Sequence, residues 1–314
     1  MKCHFLQTPF VTLLERGMKG WIMGGIAREA PKSLSLQNRT VYLPTRYFHK
    51  FLFHPLYLRF IIGNNTNILF LHHRILLKYY EQVDLPRVRV FITHVDENEP
   101  LGPVELGILA RVGRIIFQNS ALLDWGVSRG IPRKSCLVAH GAISKDVFYP
   151  APDICSLGYV LITGDCKSRK RPELIREVIN FCKDIQFIIH GNGWRSFFDG
   201  EEPFNLKILD FDLRNQPKLM REAHALLSLA LNEGGPFPVL EALASGTPVL
   251  ATDTGFCKEV IREESGFVLD VSSSLVEIKV GIEKTMALKK KVYSRNLLPD
   301  GHSWEEFAER IYIK

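Results

Sequence analysis

The sequence contains no apolar run approaching the roughly 18 residues that a membrane-spanning helix requires, which argues against an integral membrane protein. Its first twenty residues, MKCHFLQTPFVTLLERGMKG, lack the basic-then-apolar stretch and small-residue cleavage site of a secretory signal, so a cytoplasmic location is expected. No two of the six cysteines (Cys3, Cys136, Cys155, Cys166, Cys182, Cys257) form a CxxC pair. Four of them lie in or beside apolar runs, which argues for reduced, buried thiols rather than a disulfide framework or a zinc cluster. The net charge of +6 leaves nucleic acid, a nucleotide and an anionic membrane surface open as partners. With no RNP-like, zinc-finger or basic-zipper pattern, nucleic acid is the least supported of the three.

What is present is a long alternation. At 314 residues, 46% hydrophobic and 24% charged, the chain has the make-up of an ordinary globular protein long enough for two cores. Strand-like apolar runs fall at 3–6, 40–44, 67–73, 88–94, 114–120 and 135–141, with helical patterns between most of them. A second series follows at 158–164, 185–191, 206–211, 225–231, 247–253 and 266–270. These runs are continuous rather than alternating, as in strands covered on both faces of a parallel sheet. Residues 142–157 carry two prolines and no periodicity, and read as a linker. The expected architecture is α/β, with two doubly wound parallel-sheet domains at 1–150 and 151–294 and a closing helix at 295–314 that returns to the first domain. Ligands of such sheets bind beyond the carboxyl ends of the strands, so the expected site is the cleft between the domains.

The stretch NEGGPFPVLEALASGTPVLATDTG, residues 232–255, carries the most chemistry. Glu233 follows the strand-like run 225–231 and so stands on the ligand side of its sheet. Pro236 and Pro238 suit a helix's first turn, where a missing N–H costs nothing. Backbone N–H groups around Gly234, Gly235 and Phe237 would then be available to an anion. Glu241 lies about a turn further on, and an ionised carboxylate there suits the two hydroxyls of a ribose. Taken singly, Glu241 reads as a complement to the helix dipole and Glu233 as a solvated charge.

The longer string EGGPFPVLEALASGTPVLATDTGFCKEVI resembles the E-x7-E signature of the retaining GT-B glycosyltransferases, which use nucleotide-sugar donors. The likeness includes the turn from Ser245 to Val249 and the acidic Glu259, over about thirty residues. LITGDCKSRKRPELIREVI resembles the family's diphosphate-binding strand, loop and helix, and HGNGW the glycine-rich end of its next strand. CLVAHGAISKDVFYP resembles the hinge, with His140 where asparagine is usual, and GHSWEEFAERIY resembles the closing helix. Most of residues 135–312 are covered, and the first domain matches more loosely.

The resemblance implies that Glu241 contacts the donor ribose, that Glu233 lies near the transferred sugar and that Lys170 meets the diphosphate. The family usually carries an arginine directly after the strand glycine, whereas this chain has Asp165. A negative charge cannot hold a diphosphate, so the work is expected to pass to Arg169, Lys170 and Arg171, with Asp165 as their partner in the empty enzyme. His94, ending FITH, resembles the histidine that faces the sugar from the first domain, and reads equally as a strand-end cap. His72 and His73 follow another strand and are similarly open. Gly20, in RGMKGWIMGG, loosely resembles the family's N-terminal glycine loop, or serves a turn.

No metal site is expected. His94, Asp96, Glu97 and Glu99 read as a solvated loop, as do Asp210 and Asp212, whose Asp-x-Asp pattern would suit a metal in the other glycosyltransferase fold. The basic-aromatic stretch 46–60 suits either core or an interfacial helix on an anionic membrane, though Pro55 interrupts it. The resemblance therefore implies a retaining glycosyltransferase that needs neither metal nor cofactor. It would move a sugar from a nucleotide-diphosphate donor to a hydroxyl of a glycan, lipid-linked or small-molecule acceptor. A nucleotide-sugar epimerase or hydrolase on the same fold, or a non-catalytic sugar- or protein-binding module, are the alternatives.

Overall fold

Strand β7, Tyr159–Thr163, is buried along its whole length because both of its faces are covered. Its side chains divide by parity: Tyr159 and Leu161 enter one core with Val239, Leu240 and Leu243, while Val160 and Ile162 enter another with Ile175, Ile179 and Ile282. A strand that must be apolar on both sides shows no alternation in sequence, which is why the run reads as continuous. This is a computed structural model, and it describes residues 10–15, 22–35, 38–43, 67–95, 100–150, 158–289 and 295–313. Gly20, the strand-like run at 3–6, the acidic residues Asp96, Glu97 and Glu99, and the stretch 46–60 lie outside the described residues.

The chain divides into two compact units, Met1–Gly141 with Ser303–Lys314, and Ala142–His302. In the first, β1 (Phe10–Glu15), β2 (Asn38–Leu43), β3 (Asn67–Phe70), β4 (Val88–Ile92), β5 (Arg114–Phe117) and β6 (Cys136–Val138) form a sheet in the order β2-β1-β3-β4-β5-β6. In the second, β7 is joined by β8 (Gln186–His190), β9 (Leu206–Leu209), β10 (Ala225–Ser228), β11 (Val249–Thr252) and β12 (Gly266–Leu269), in the order β12-β11-β10-β7-β8-β9. Among the described residues, all ladders in both sheets are parallel.

Three details differ from the sequence reading. Strand β1 was not anticipated, because its apolar run is broken by Thr12. That hydroxyl is fully buried and shares a 2.9 Å hydrogen bond with Tyr312, 300 positions away. The boundary falls at 141/142 rather than 150/151, since Ile143 and Phe148 pack into the second unit's core and the Ile143 N–H donates to the His302 carbonyl at 3.1 Å. Residues 295–302 also belong to that unit: Leu298 enters its core, and the Leu297 N–H donates to the Leu243 carbonyl at 2.9 Å. The segment that returns to the first unit starts at Ser303, where Ser303 and Glu306 form a reciprocal cap for the helix Trp304–Ala308. From that helix Phe307 packs edge-on against Phe91 of β4, with ring centroids 6.1 Å apart.

Candidate functional site

The carboxyl ends of β7 and β10 are adjacent, since these strands are paired in register through Ala225–Val160 and Leu226–Leu161. The loops leaving them are consequently brought together. The Leu231 N–H donates to the Arg169 carbonyl at 2.8 Å, and Arg169 Nη1 donates to the Asn232 carbonyl at 3.5 Å. Across this join Glu233 pairs with two cations of the first loop, Lys170 and Arg169. Its Oε1 lies 2.5 Å from Lys170 Nζ and its Oε2 2.5 Å from Arg169 Nη1. Glu233 is 9% exposed, Lys170 16% and Arg169 47%, so the carboxylate and the lysine are largely withdrawn from water while the arginine borders it. Burial works against charge on Glu233, but Lys170 and then Arg169 outweigh it and hold its pKa below the usual carboxylate value.

Two glycines shape this corner. A side chain on Gly191 would lie 2.0 Å from the Gly164 carbonyl oxygen, so the loops after β7 and β8 touch backbone to backbone. Trp194 Nε1 fixes that same carbonyl with a 2.8 Å hydrogen bond. Gly255, with φ +58°, packs where a side chain would meet the Gly234 carbonyl oxygen at 2.8 Å and that of Glu233 at 3.0 Å. The backbone that carries Glu233 is therefore backed by the turn after β11.

Glu241 lies on the helix Phe237–Ala244, whose other side chains are largely buried. Its Oε2 accepts a 3.0 Å hydrogen bond from Gln216 Nε2. Burial pushes its pKa up to about 7, a rise that the Gln216 bond opposes. A carboxylate so placed is ready to ionise fully once donors arrive at its free edge. The helix begins at Pro236, with no side chain capping it, which leaves its first turn available as a donor edge. Phe237 is buried at that turn, and Gly234 is buried just before it. Gly235 stays partly exposed between them.

Other expected site residues are placed differently. Arg171 does not face the cluster. Its backbone is left-handed, with φ +57°, and its Nη1 donates to the Val271 carbonyl at 2.8 Å. Asp165 is not the counter-anion of the basic loop: its Oδ1 accepts from Asn192 Nδ2 at 3.1 Å and from the Asn192 N–H at 3.3 Å. The counter-anion is Glu233. Asp210 faces Arg195 at 3.7 Å, and Asp212 caps the turn before the next helix by accepting from the Arg214 N–H at 3.0 Å.

His94 stands beyond the carboxyl end of β4 in the first unit, with Nδ1 2.9 Å from the Thr93 hydroxyl. It is joined there by His72, whose ring meets it edge-on at 6.3 Å. His73 stacks on His72 at 4.7 Å and is almost fully buried, which pushes its pKa down to about 2. Sequence reasoning missed Gln216, His190 and Trp194. Gln216 gives no signal because its partners His190 and Glu241 are far along the chain, whereas His190 and Trp194 are the two ends of the HGNGW string.

Residues 159–295, nearly all of the second unit's sheet and helices, match the family model "Glycosyl transferases group 1". Comparison with curated proteins finds no match. Among solved structures, HepE from Anabaena in complex with UDP and glucose superposes with a TM-score of 0.70 at 13% identity, covering 97% of this chain and 95% of that one. Sucrose-phosphate synthase from Thermosynechococcus elongatus gives 0.71 at 14% identity, covering 97% and 94%. A glycosyltransferase from Rickettsia africae gives 0.73 at 11% identity, covering 96% of each chain. The fold is GT-B: two α/β units, each built on a six-stranded parallel sheet.

Proposed function

We propose that this protein is a retaining glycosyltransferase that takes a sugar from a nucleotide-diphosphate donor and delivers it to an acceptor hydroxyl. The observation that carries the reading is the Lys170–Glu233–Arg169 cluster at the carboxyl ends of β7 and β10. Two cations held by one carboxylate form a site where a diphosphate can exchange for an internal counter-ion. The family match over residues 159–295 and the UDP- and glucose-bound state of the Anabaena neighbour support a nucleotide-sugar as the donor.

In this reading the ribose hydroxyls donate to Glu241, and Lys170 and Arg169 take the diphosphate. As the bond between the anomeric carbon and the diphosphate oxygen breaks, negative charge grows on the leaving group. Lys170, Arg169 and the first turn of the helix Phe237–Ala244 are aimed to stabilise it. Glu233, displaced from the cations by the diphosphate, is left with its charge beside the sugar, where it stabilises the developing positive charge at the anomeric carbon. The acceptor hydroxyl attacks on the face the diphosphate leaves and passes its proton to the departing diphosphate oxygen, and the configuration is retained. The chemistry asks for no metal or cofactor, because cations and helix N–H groups supply the charge stabilisation.

Product analysis by NMR, with and without added acceptor, tests the proposal. A glycoside with the donor's anomeric configuration, formed only with acceptor, supports it. Free sugar or an epimerised nucleotide-sugar, formed at the same rate without acceptor, would instead assign hydrolase or epimerase chemistry.

A further inference from the structure

Behind Glu241 lies a buried polar chain that the reaction as described does not use. His190 is the last residue of β8, and Gln216 begins the helix Gln216–Glu222. Both are nearly fully buried, at 1% and 2% exposure. The Asp212 N–H donates to His190 Nε2 at 2.9 Å. A backbone N–H can only donate, so Nε2 carries no proton, and the proton of the neutral imidazole sits on Nδ1. Nδ1 lies 2.6 Å from Gln216 Oε1 and therefore donates to it. Thr163 Oγ1 lies 3.2 Å from the same oxygen and 3.2 Å from the His190 carbonyl, so its one proton serves either acceptor. A turned-over amide would set its NH2 group against the His190 Nδ1–H, so the carbonyl stays on His190 and the NH2 group points at Glu241 Oε2, 3.0 Å away. Phe211 stacks on the His190 ring, with centroids 5.1 Å apart, and shields it from the solvent side.

We propose that Gln216 is the positioning residue of the ribose-binding carboxylate, with His190 fixing the sense of its amide. A buried glutamine satisfied by its neighbours would by itself be unremarkable core. Here every hydrogen bond in the chain has one direction, set by the Asp212 backbone, and the chain ends on one oxygen of the carboxylate read as the ribose acceptor. Gln216 thereby holds Oε2 and presents Oε1 to the hydroxyls, in a single rotamer. Such preorganisation removes an ordering cost from binding. The inference rests on the assignment of Glu241 to the ribose, and the test below separates the two.

Calorimetry compares UDP with 2′,3′-dideoxy-UDP, with GDP and ADP and their dideoxy forms run beside them, on the wild type, Gln216→Leu and Gln216→Glu. The glutamate variant keeps an acceptor for His190 Nδ1 but sets a carboxylate oxygen against Glu241 Oε2, so it preserves the His190 end of the chain and removes only the donor to Glu241. We expect the wild type to bind the ribonucleotide about tenfold or more tightly than its dideoxy form, as for a hydrogen bond to a charged group. In both variants that preference should shrink to within about twofold, while affinity for the dideoxy nucleotide is kept. If both variants discriminate as the wild type does, or lose both nucleotides equally, Gln216 is not a positioning residue. If the wild type itself shows no preference, the ribose assignment of Glu241 falls first. If it binds none of the nucleotides, the proposed function falls with it.

Discussion

Lys170 and Glu233 are joined by a 2.5 Å ion pair between the ends of two neighbouring strands, and the carboxylate half of the pair is 9% exposed. In a pair so withdrawn from water, removing one partner leaves an uncompensated charge. On the proposed function, a diphosphate competes with Glu233 for Lys170. Glu233→Gln should therefore bind nucleoside diphosphate as tightly as the wild type or up to about tenfold more tightly, and turn over more slowly. Lys170→Ala should weaken binding by roughly ten- to a hundredfold, whereas Lys167→Ala should change it little. Titration calorimetry reads all three. Weaker binding in Glu233→Gln would contradict the competition.

Glu241 sets a pH dependence. Its pKa is raised to about 7 by burial, so near neutrality a substantial fraction of the empty protein carries the proton. Ribose hydroxyls donate best to the ionised form, so binding lowers this pKa and releases a proton at and below neutral pH. Nucleotide affinity should rise with pH through about 7 and level off above it. Calorimetry in buffers of different ionisation enthalpy should show proton release near pH 6.5, and Glu241→Gln should abolish the release along with much of the affinity.

Lys289 predicts an effect on stability instead. It is 5% exposed and donates to the carbonyls of Gly246 at 2.9 Å and Arg221 at 3.2 Å, and burial pushes its pKa down to about 8. The unfolded chain keeps this proton up to about pH 10.4. Between roughly pH 8 and 10.4 the unfolded state therefore holds more protons, and stability gains a component that rises with pH. Urea unfolding at pH 7.5, 8.5 and 9.5 should show that component in the wild type and lose it in Lys289→Met.

Chelation tests the role assigned to the loop after β9. Asp212 is held below its ordinary pKa, first by the Arg214 N–H, and it also accepts from the Arg214 side chain and Asn215. With that carboxylate occupied in capping, activity should be unchanged by EDTA. Loss on chelation with recovery on adding manganese would return Asp210 and Asp212 to consideration as a metal site.

Much of the architecture was legible because buried parallel strands write themselves as continuous apolar runs, as in YVLIT and VLAT. Thr12 hid β1 because its partner Tyr312 is at the other end of the chain. In the site, the position of Glu233 just past a strand could be read from the apolar run before it, whereas Lys170 was singled out only by the family resemblance, and the ion pair between them was not foreseen. Arg171 was misplaced because adjacency in sequence does not give direction, and a left-handed residue turns its side chain away from its neighbours. Asp165 was assigned to the cations beside it, yet it bonds Asn192, on the loop after the next strand. Gln216 was invisible for the same reason: an amide has no sequence signature, and its meaning comes from His190 and Glu241, each about 25 positions away.

The central claim is transfer from a nucleotide-sugar, and nucleoside diphosphate release from a panel of UDP-, GDP- and ADP-sugars tests it most directly. The wild type should release nucleotide from at least one donor, and Lys170→Ala and Glu233→Gln should each reduce that release by tenfold or more. Release from none of them, or release unaffected by either substitution, would contradict the account.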